Sequence, residues 1–150
     1  MANTYSSLFY HLVFSTKERR RFLKPNVESR IWDFIGGIAR HNGLTPIRVG
    51  GIEDHIHALL LAPPKYSVSQ IAKFIKADSS RWIKSELGYD LFSWQDGYAA
   101  FSVSKRTVPK VRQYIEEQRI HHGRMSFENE YRQMLNLHEI DIGNEEYLFG

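Results

Sequence analysis

Four residues of this sequence have the types and spacing of a small catalytic set: His55 and His57 in G-G-I-E-D-H-I-H-A-L-L-L-A, and Tyr114 and Gln118 in Y-I-E-E-Q. Side chains on a strand alternate between faces, so His55 and His57 project from one side and Ile56 from the other. Two imidazoles placed this way can grip one metal ion, although the same pattern also describes two ordinary half-buried histidines. On a helix, residues four apart share a face, which brings Tyr114 and Gln118 together. By itself that pair equally describes an amphipathic core tyrosine with its hydroxyl at the rim. Taken together, two imidazoles and one amide oxygen make three protein ligands and leave positions on a divalent ion for a phosphate oxygen and water. A phenol with an ordinary pKa near 10 is a poor nucleophile at neutral pH, so it needs a Lewis acid to polarise its target and stabilise a leaving 3′-oxygen. Attack on a phosphodiester would give a 5′-phosphotyrosine and a free 3′-hydroxyl. Because the new bond conserves the energy of the old one, it could be passed to a different 3′-hydroxyl without ATP.

The elements that must hold these residues can be read along the chain. Tyr5 to Ser15 is rich in aromatic and β-branched residues and predicts a first strand, with His11 on the face of Phe9 and Val13 as a satisfied core residue. Thr16 to Lys24 concentrates Lys17, Arg19, Arg20, Arg21 and Lys24 against one acid, which suits either a solvated loop or phosphate contacts. Pro25 to His41 predicts a first helix, with Ile31, Phe34, Ile35 and Ile38 at helical spacing; Gly36-Gly37 inside it costs roughly 1 kcal/mol per glycine. Leu44 to Val49 predicts a second strand, and Gly50-Gly51 a turn into the histidine strand. Apolar on both faces from Ile56 to Leu61, that strand should lie inside a covered sheet.

Ser67 to Leu87 carries the strongest helix signal, with Ser67 and Gln70 as a capping box and Gly88 as its C-terminal cap. Lys73, Lys76, Arg81 and Lys84 fall away from its apolar stripe, as on any solvated helix face. A further strand starts near Tyr98. Thr107 can cap a last long helix that runs to about His122 and carries both Tyr114 and Gln118. The tail from Ser126 should form a short helix through Leu135 and end as an acidic surface segment. This order predicts an α+β fold: a ferredoxin-like split β-α-β sandwich with an added C-terminal helix carrying the tyrosine, as one domain over residues 1–150.

At 150 residues the chain can bury one sizeable core. The absence of cysteine removes disulfides, thiolate metal sites and a cysteine nucleophile together, and suits a reducing cytoplasm. No apolar run approaches the length of a membrane span. The net charge of +3 hides a segregation: residues 1–127 carry 19 Lys and Arg against 11 Asp and Glu, whereas residues 128–150 carry one Arg against six acids. A basic body favours a polyanionic partner, though many solvated domains are mildly basic without one.

Several segments, in order, resemble a known family, the single-tyrosine HUH transposases of the insertion-sequence 200/605 type. They are Y-S-S-L-F-Y-H-L-V-F-S-T-K, V-G-G-I-E-D-H-I-H-A-L, S-W-Q-D-G-Y-A-A-F-S-V-S and Y-I-E-E-Q. The resemblance implies that His55 and His57 are metal ligands, Tyr114 the nucleophile and Gln118 the third ligand. It implies Mg²⁺ or Mn²⁺, where imidazoles alone would equally suit zinc. It further implies a homodimer, with sheets joined edge to edge and the tyrosine helix of one subunit completing the site of the other. The substrate would be single-stranded DNA marked by hairpins, in the nucleoid of a bacterial or archaeal cell. Lys17, Arg19, Arg20, Arg21, Lys73 and Lys76 are then the expected DNA contacts. Other readings are a related protein acting on chromosomal repeat hairpins and a hairpin-binding protein that no longer cuts. An RNA-recognition module on the same fold is disfavoured by the lack of an aromatic ribonucleoprotein-type strand motif.

Overall fold

The computed structural model describes residues 3–142. Four antiparallel strands, β1 (Leu8–Ser15), β2 (Thr45–Ile52), β3 (His55–Ala62) and β4 (Ala99–Val103), form one sheet in the order β2-β3-β1-β4. Helix α1 (Glu28–His41) joins β1 to β2 and helix α2 (Val68–Leu87) joins β3 to β4, the expected split β-α-β arrangement. Three further helices follow, α3 (Val108–Glu116), α4 (Gln118–His122) and α5 (Phe127–Leu137).

The strand alternation sorts side chains into two layers. Leu12, Phe14, Ile56, Ala58 and Leu60 face α1 and α2 and pack on Ile31, Ile35, Ile71 and Ile75. The opposite face presents Val13, Ala99 and Phe101 to Phe127, Tyr131 and Leu135 of α5. This second face also carries His11, His55 and His57, so α3 to α5 roof the site within the same chain. Ser67 caps α2 in a full capping box and Gly88 closes it in the left-handed conformation, as expected.

Several boundaries differ from the sequence reading. The first strand begins at Leu8 rather than Tyr5, and α1 at Glu28, after a turn over Pro25 to Val27. Gly50-Gly51 does not form the turn. Both glycines continue β2, and the chain reverses at Glu53-Asp54 between the paired residues Ile52 and His55. Their bareness serves close approach instead. A Cβ on Gly51 would fall 2.1 Å from the His55 carbonyl oxygen, and one on Gly50 would fall 3.0 Å from Ile115 Cγ2 of α3. The helix expected to run unbroken to His122 is interrupted at Glu117 (φ −99°, ψ 21°). Thr107 does not cap it; its hydroxyl instead bonds back to the Ser104 carbonyl at 3.0 Å. The tail helix forms as α5, capped by Ser126, but its acidic character is only partly a surface property. Glu130 is 3% exposed, while residues 143–150 lie outside the described part of the chain.

Candidate metal and nucleophile site

His55 and His57 stand fully buried at the start of β3, and each is oriented through its Nδ1. Asp54, in the hairpin turn, accepts from His55 Nδ1 at 2.8 Å. His57 Nδ1 lies 2.8 Å from His11 Nε2, and the two rings stack at 5.0 Å. His11 is thus the core residue expected from the sequence, but its polar partner is a site histidine. Outer partners of this kind set the tautomer and ring direction of metal-binding imidazoles.

The interruption at Glu117 starts a new helix at Gln118 and turns its side chain inward to 1% exposure. Gln118 Oε1 comes within 2.8 Å of His55 Nε2. Arg119 anchors this short helix by bonding Glu53 at 2.8 Å and Glu28 at 2.5 Å. One turn further on, His122 fixes its Nδ1 on the Met125 carbonyl at 2.6 Å, and its Nε2 lies 3.1 Å from Gln118 Oε1. Glu130 of α5 closes the cluster. Its Oε1 lies 3.2 Å from His57 Nε2, 3.2 Å from His122 Nε2 and 3.4 Å from His55 Nε2. Its Oε2 accepts from Gln118 Nε2 at 3.1 Å and from the Tyr114 hydroxyl.

The donor set fits a cation. Asp54 Oδ1 and the Met125 carbonyl can only accept, so Nδ1 of His55 and of His122 carries the proton. In the neutral rings the Nε2 lone pairs then point inward, where Gln118 Oε1 and Glu130 Oε1 also present lone pairs. Such a ring of acceptors needs protons on the imidazoles or a metal ion among them. The candidate ligand atoms of His55, His122 and Glu130 lie within 4.8 Å of one another. Imidazole, amide oxygen and carboxylate are donors that could hold a divalent metal ion.

Electrostatics follow the same geometry. Burial lowers the His57 pKa, and burial with the neighbouring His57 holds His11 well below its ordinary value. Burial would lower His55 too, but its hydrogen bonds to Asp54 and Glu130 outweigh that and raise it. For Glu130 the balance is reversed: burial pushes the carboxyl up, and hydrogen bonds from His122, His55 and His57 bring it well below the usual range. Tyr114 is raised far above an ordinary phenol, first by burial and then by the charge of Glu130. It therefore rests as the neutral phenol.

The structure brings together Tyr114, His55, His57 and Gln118 within one chain. The Tyr114 ring lies edge-on to His57 at 5.7 Å. A cavity of about 690 Å³ opens beside Tyr114 and Glu130, with His11, Phe101, Val111 and Met134 among its walls. The candidate DNA contacts are more dispersed. Lys17 pairs with Asp96 at 3.6 Å, Arg19 with Glu128 of α5 at 3.5 Å and Arg20 with Glu18 at 3.1 Å, while Arg21 is exposed. Lys73 is exposed on α2, on the far side of the sheet from the histidines, and Lys76 is tied to the Asp96 and Gly97 carbonyls at 3.0 and 2.9 Å. Asp54, His122 and Glu130 were not anticipated from the sequence. His122 extends the Tyr114–Gln118 spacing by four, and Glu130 is the one acid in the Phe127, Tyr131, Met134, Leu135 stripe, so both left a trace there.

A family profile described as "Transposase IS200 like" matches residues 4–118. The chain is 33% identical to the ISDra2 transposase TnpA of Deinococcus radiodurans over 119 residues, 74% of this chain and 84% of that protein. It is 29% identical to the transposase of insertion sequence element IS200 from Salmonella typhimurium, covering 79% of this chain and 81% of that protein. Among solved structures, a putative transposase from Deinococcus radiodurans superposes with a TM-score of 0.63 at 29% identity, over 79% of this chain and 95% of that one. A REP-associated tyrosine transposase bound to a REP hairpin gives 0.60 at 15% identity, over 83% of this chain and 74% of that one, and shares the fold.

Proposed function

The chain belongs to the IS200-like transposase family, and from that premise we propose that it cleaves and rejoins single-stranded DNA at hairpin-marked ends through a 5′-phosphotyrosine on Tyr114. The observation that carries this reading is the convergence of His55 Nε2, His57 Nε2, Gln118 Oε1 and the Tyr114 hydroxyl under one roof. A divalent cation held by His55, His57 and Gln118 would polarise the scissile phosphate and offset the charge that develops on the leaving oxygen. Tyr114 supplies the nucleophile: its oxygen forms a bond to phosphorus as the bond to the 3′-oxygen breaks. The phenol gives up its proton and the departing strand leaves as a 3′-hydroxyl, so the step balances. The cavity beside Tyr114 offers room for the nucleotide at the cut, and burial of the cluster keeps bulk water from competing with a second 3′-hydroxyl.

Hairpin contacts fall in this reading to Lys17, Arg19, Arg20 and Arg21, with Lys73 and Lys76 on a separate surface. The ion pairs that engage Lys17, Arg19 and Arg20 are exposed, and such pairs contribute only about 0–1 kcal/mol, so a phosphate can displace them. A homodimer and a cytoplasmic, nucleoid-associated setting belong to the same proposal; no helix among the described residues is long and apolar enough to cross a membrane.

The test is incubation of the pure protein with single-stranded DNA from its own genomic flank and Mg²⁺ or Mn²⁺, followed by denaturing electrophoresis and mass spectrometry. The expected product is a covalent adduct on Tyr114, absent with chelator and in Tyr114→Phe. Hairpin binding without an adduct in any metal would replace this reading with a non-cleaving hairpin-binding protein acting on chromosomal repeats.

A further inference from the structure

The match to the family profile ends at Gln118, yet the site continues beyond it. Glu130 lies on α5 in a stripe with Phe127, Tyr131 and Leu135, all buried. A carboxylate withdrawn from water in that position is costly unless cations or donors surround it. Its surroundings are the site itself. Oε1 faces the Nε2 atoms of His57, His122 and His55 at 3.2, 3.2 and 3.4 Å, and Oε2 holds the Tyr114 hydroxyl and Gln118 Nε2.

We propose that Glu130 is a further protein donor to the metal ion and that its other oxygen seats the Tyr114 hydroxyl, so that α5 completes the site. This rests on the reading of His55, His57, Gln118 and Tyr114 given above. Without Glu130 the donors among these residues are all neutral, and the nearest carboxylate, Asp54, acts only through the far nitrogen of His55. One carboxylate supplies a negative charge and is a hard oxygen donor of the kind that favours Mg²⁺ and Mn²⁺ over softer metals. The division of labour between its two oxygens also ties the nucleophile to the ligand cluster. The Tyr114 ring is packed on His57 and on His121, and Glu130 is the acceptor of its hydroxyl bond. Gln118 Nε2 bonds the same oxygen, which orients Gln118 Oε1 toward the imidazoles.

The experiment measures Mn²⁺ binding to the purified full-length protein by calorimetry and by the electron paramagnetic resonance of free Mn²⁺, in wild type, Glu130→Gln, Glu130→Asp and His57→Ala. Glu130→Gln preserves size and an acceptor for the tyrosine but removes the charge. It should weaken Mn²⁺ binding by at least the roughly 10–100-fold that follows loss of even an outer partner of a ligand. Glu130→Asp keeps the charge and should fall between the two. A fluorotyrosine label at position 114 should show a ¹⁹F shift on adding Mg²⁺ to wild type, and a smaller one in Glu130→Gln. Wild-type affinity in Glu130→Gln, with binding lost in His57→Ala, would overturn the role of Glu130 and leave the metal site standing. Tighter binding and a higher adduct yield in Glu130→Gln would overturn it in the other direction, making α5 a cover over the site. A wild type that binds no Mn²⁺ would remove the underlying reading together with this one.

Discussion

Asp54 bonds His55 and not the proposed nucleophile, yet replacing it by Ala should weaken metal binding at the proposed site. Its Oδ1 accepts the Nδ1 proton of His55 at 2.8 Å, and its side chain is only 12% exposed, so water substitutes poorly for the lost bond. A hydrogen bond to a charged group contributes about 1.5–3 kcal/mol. At 1.4 kcal/mol per tenfold, that corresponds to about a 10- to 100-fold loss of metal affinity, the range known for outer partners of ligating imidazoles. The hairpin turn itself should survive, because Thr16 and Leu23 donate to the main-chain carbonyls of Asp54 and Glu53 at 2.9 Å. Asp54 also raises the proton affinity of His55, so its removal relieves proton competition while loosening the ring. Calorimetric Mn²⁺ titration at alkaline pH separates the two effects, since there protons no longer compete. DNA cleavage as a function of Mn²⁺ should shift to higher metal concentration and reach the wild-type plateau. A lowered plateau with unchanged Mn²⁺ affinity would refute the argument that Asp54 acts by aiming His55.

His57→Ala should abolish cleavage while leaving hairpin affinity nearly intact in a gel-shift assay, because the basic loop lies outside the cluster; parallel loss of both would count against the assignment. Hairpin affinity should also fall steeply with salt, in proportion to the phosphates neutralised, and a flat response would remove the electrostatic footprint. Gly50→Val would press a branched side chain onto Ile115 and displace the tyrosine helix. A cost of about 1–3 kcal/mol in urea unfolding is expected, together with reduced adduct formation, and a neutral substitution would show that α3 does not rest on β2. Burial would raise the Glu53 carboxyl, but the hydrogen bond from Arg119, a backbone hydrogen bond and the charges of Arg119 and Arg21 together outweigh it and hold it below its ordinary value. Its contribution to stability is therefore complete above the ordinary carboxylate range and is lost as pH falls through the lowered value. Arg119→Ala should weaken that acid dependence and cost about 0.5–1 kcal/mol near neutrality, the small figure reflecting a half-exposed ion pair. Unfolding curves between about pH 3 and 7 measure both.

Much of the site could be read from local spacing. Alternation along β3 places His55 and His57 on one face whatever covers them, and helical spacing keeps Tyr114 and Gln118 together even across the interruption at Glu117. The turn was misplaced because Gly50-Gly51 carries the usual turn signal, whereas here bareness admits Ile115 and the His55 carbonyl. Neither demand is visible from neighbours in sequence. The lysines of α2 are a similar case: a polar stripe shows that a helix has an outer face, but not which side of the sheet that face flanks.

The sequence by itself determined the order of the elements, the pairing of two imidazoles, the amide–phenol pair and the segregation of charge. Each of these is a property of one element or of composition. Only the tertiary structure decided that the acidic tail contributes Glu130 to the interior, that His122 joins the cluster, and that Asp54 and His11 set the directions of the site histidines. The reason is that convergence is a long-range property. A carboxylate on an apolar helical stripe is only an interruption of the pattern until the helix docks and three imidazole nitrogens meet it.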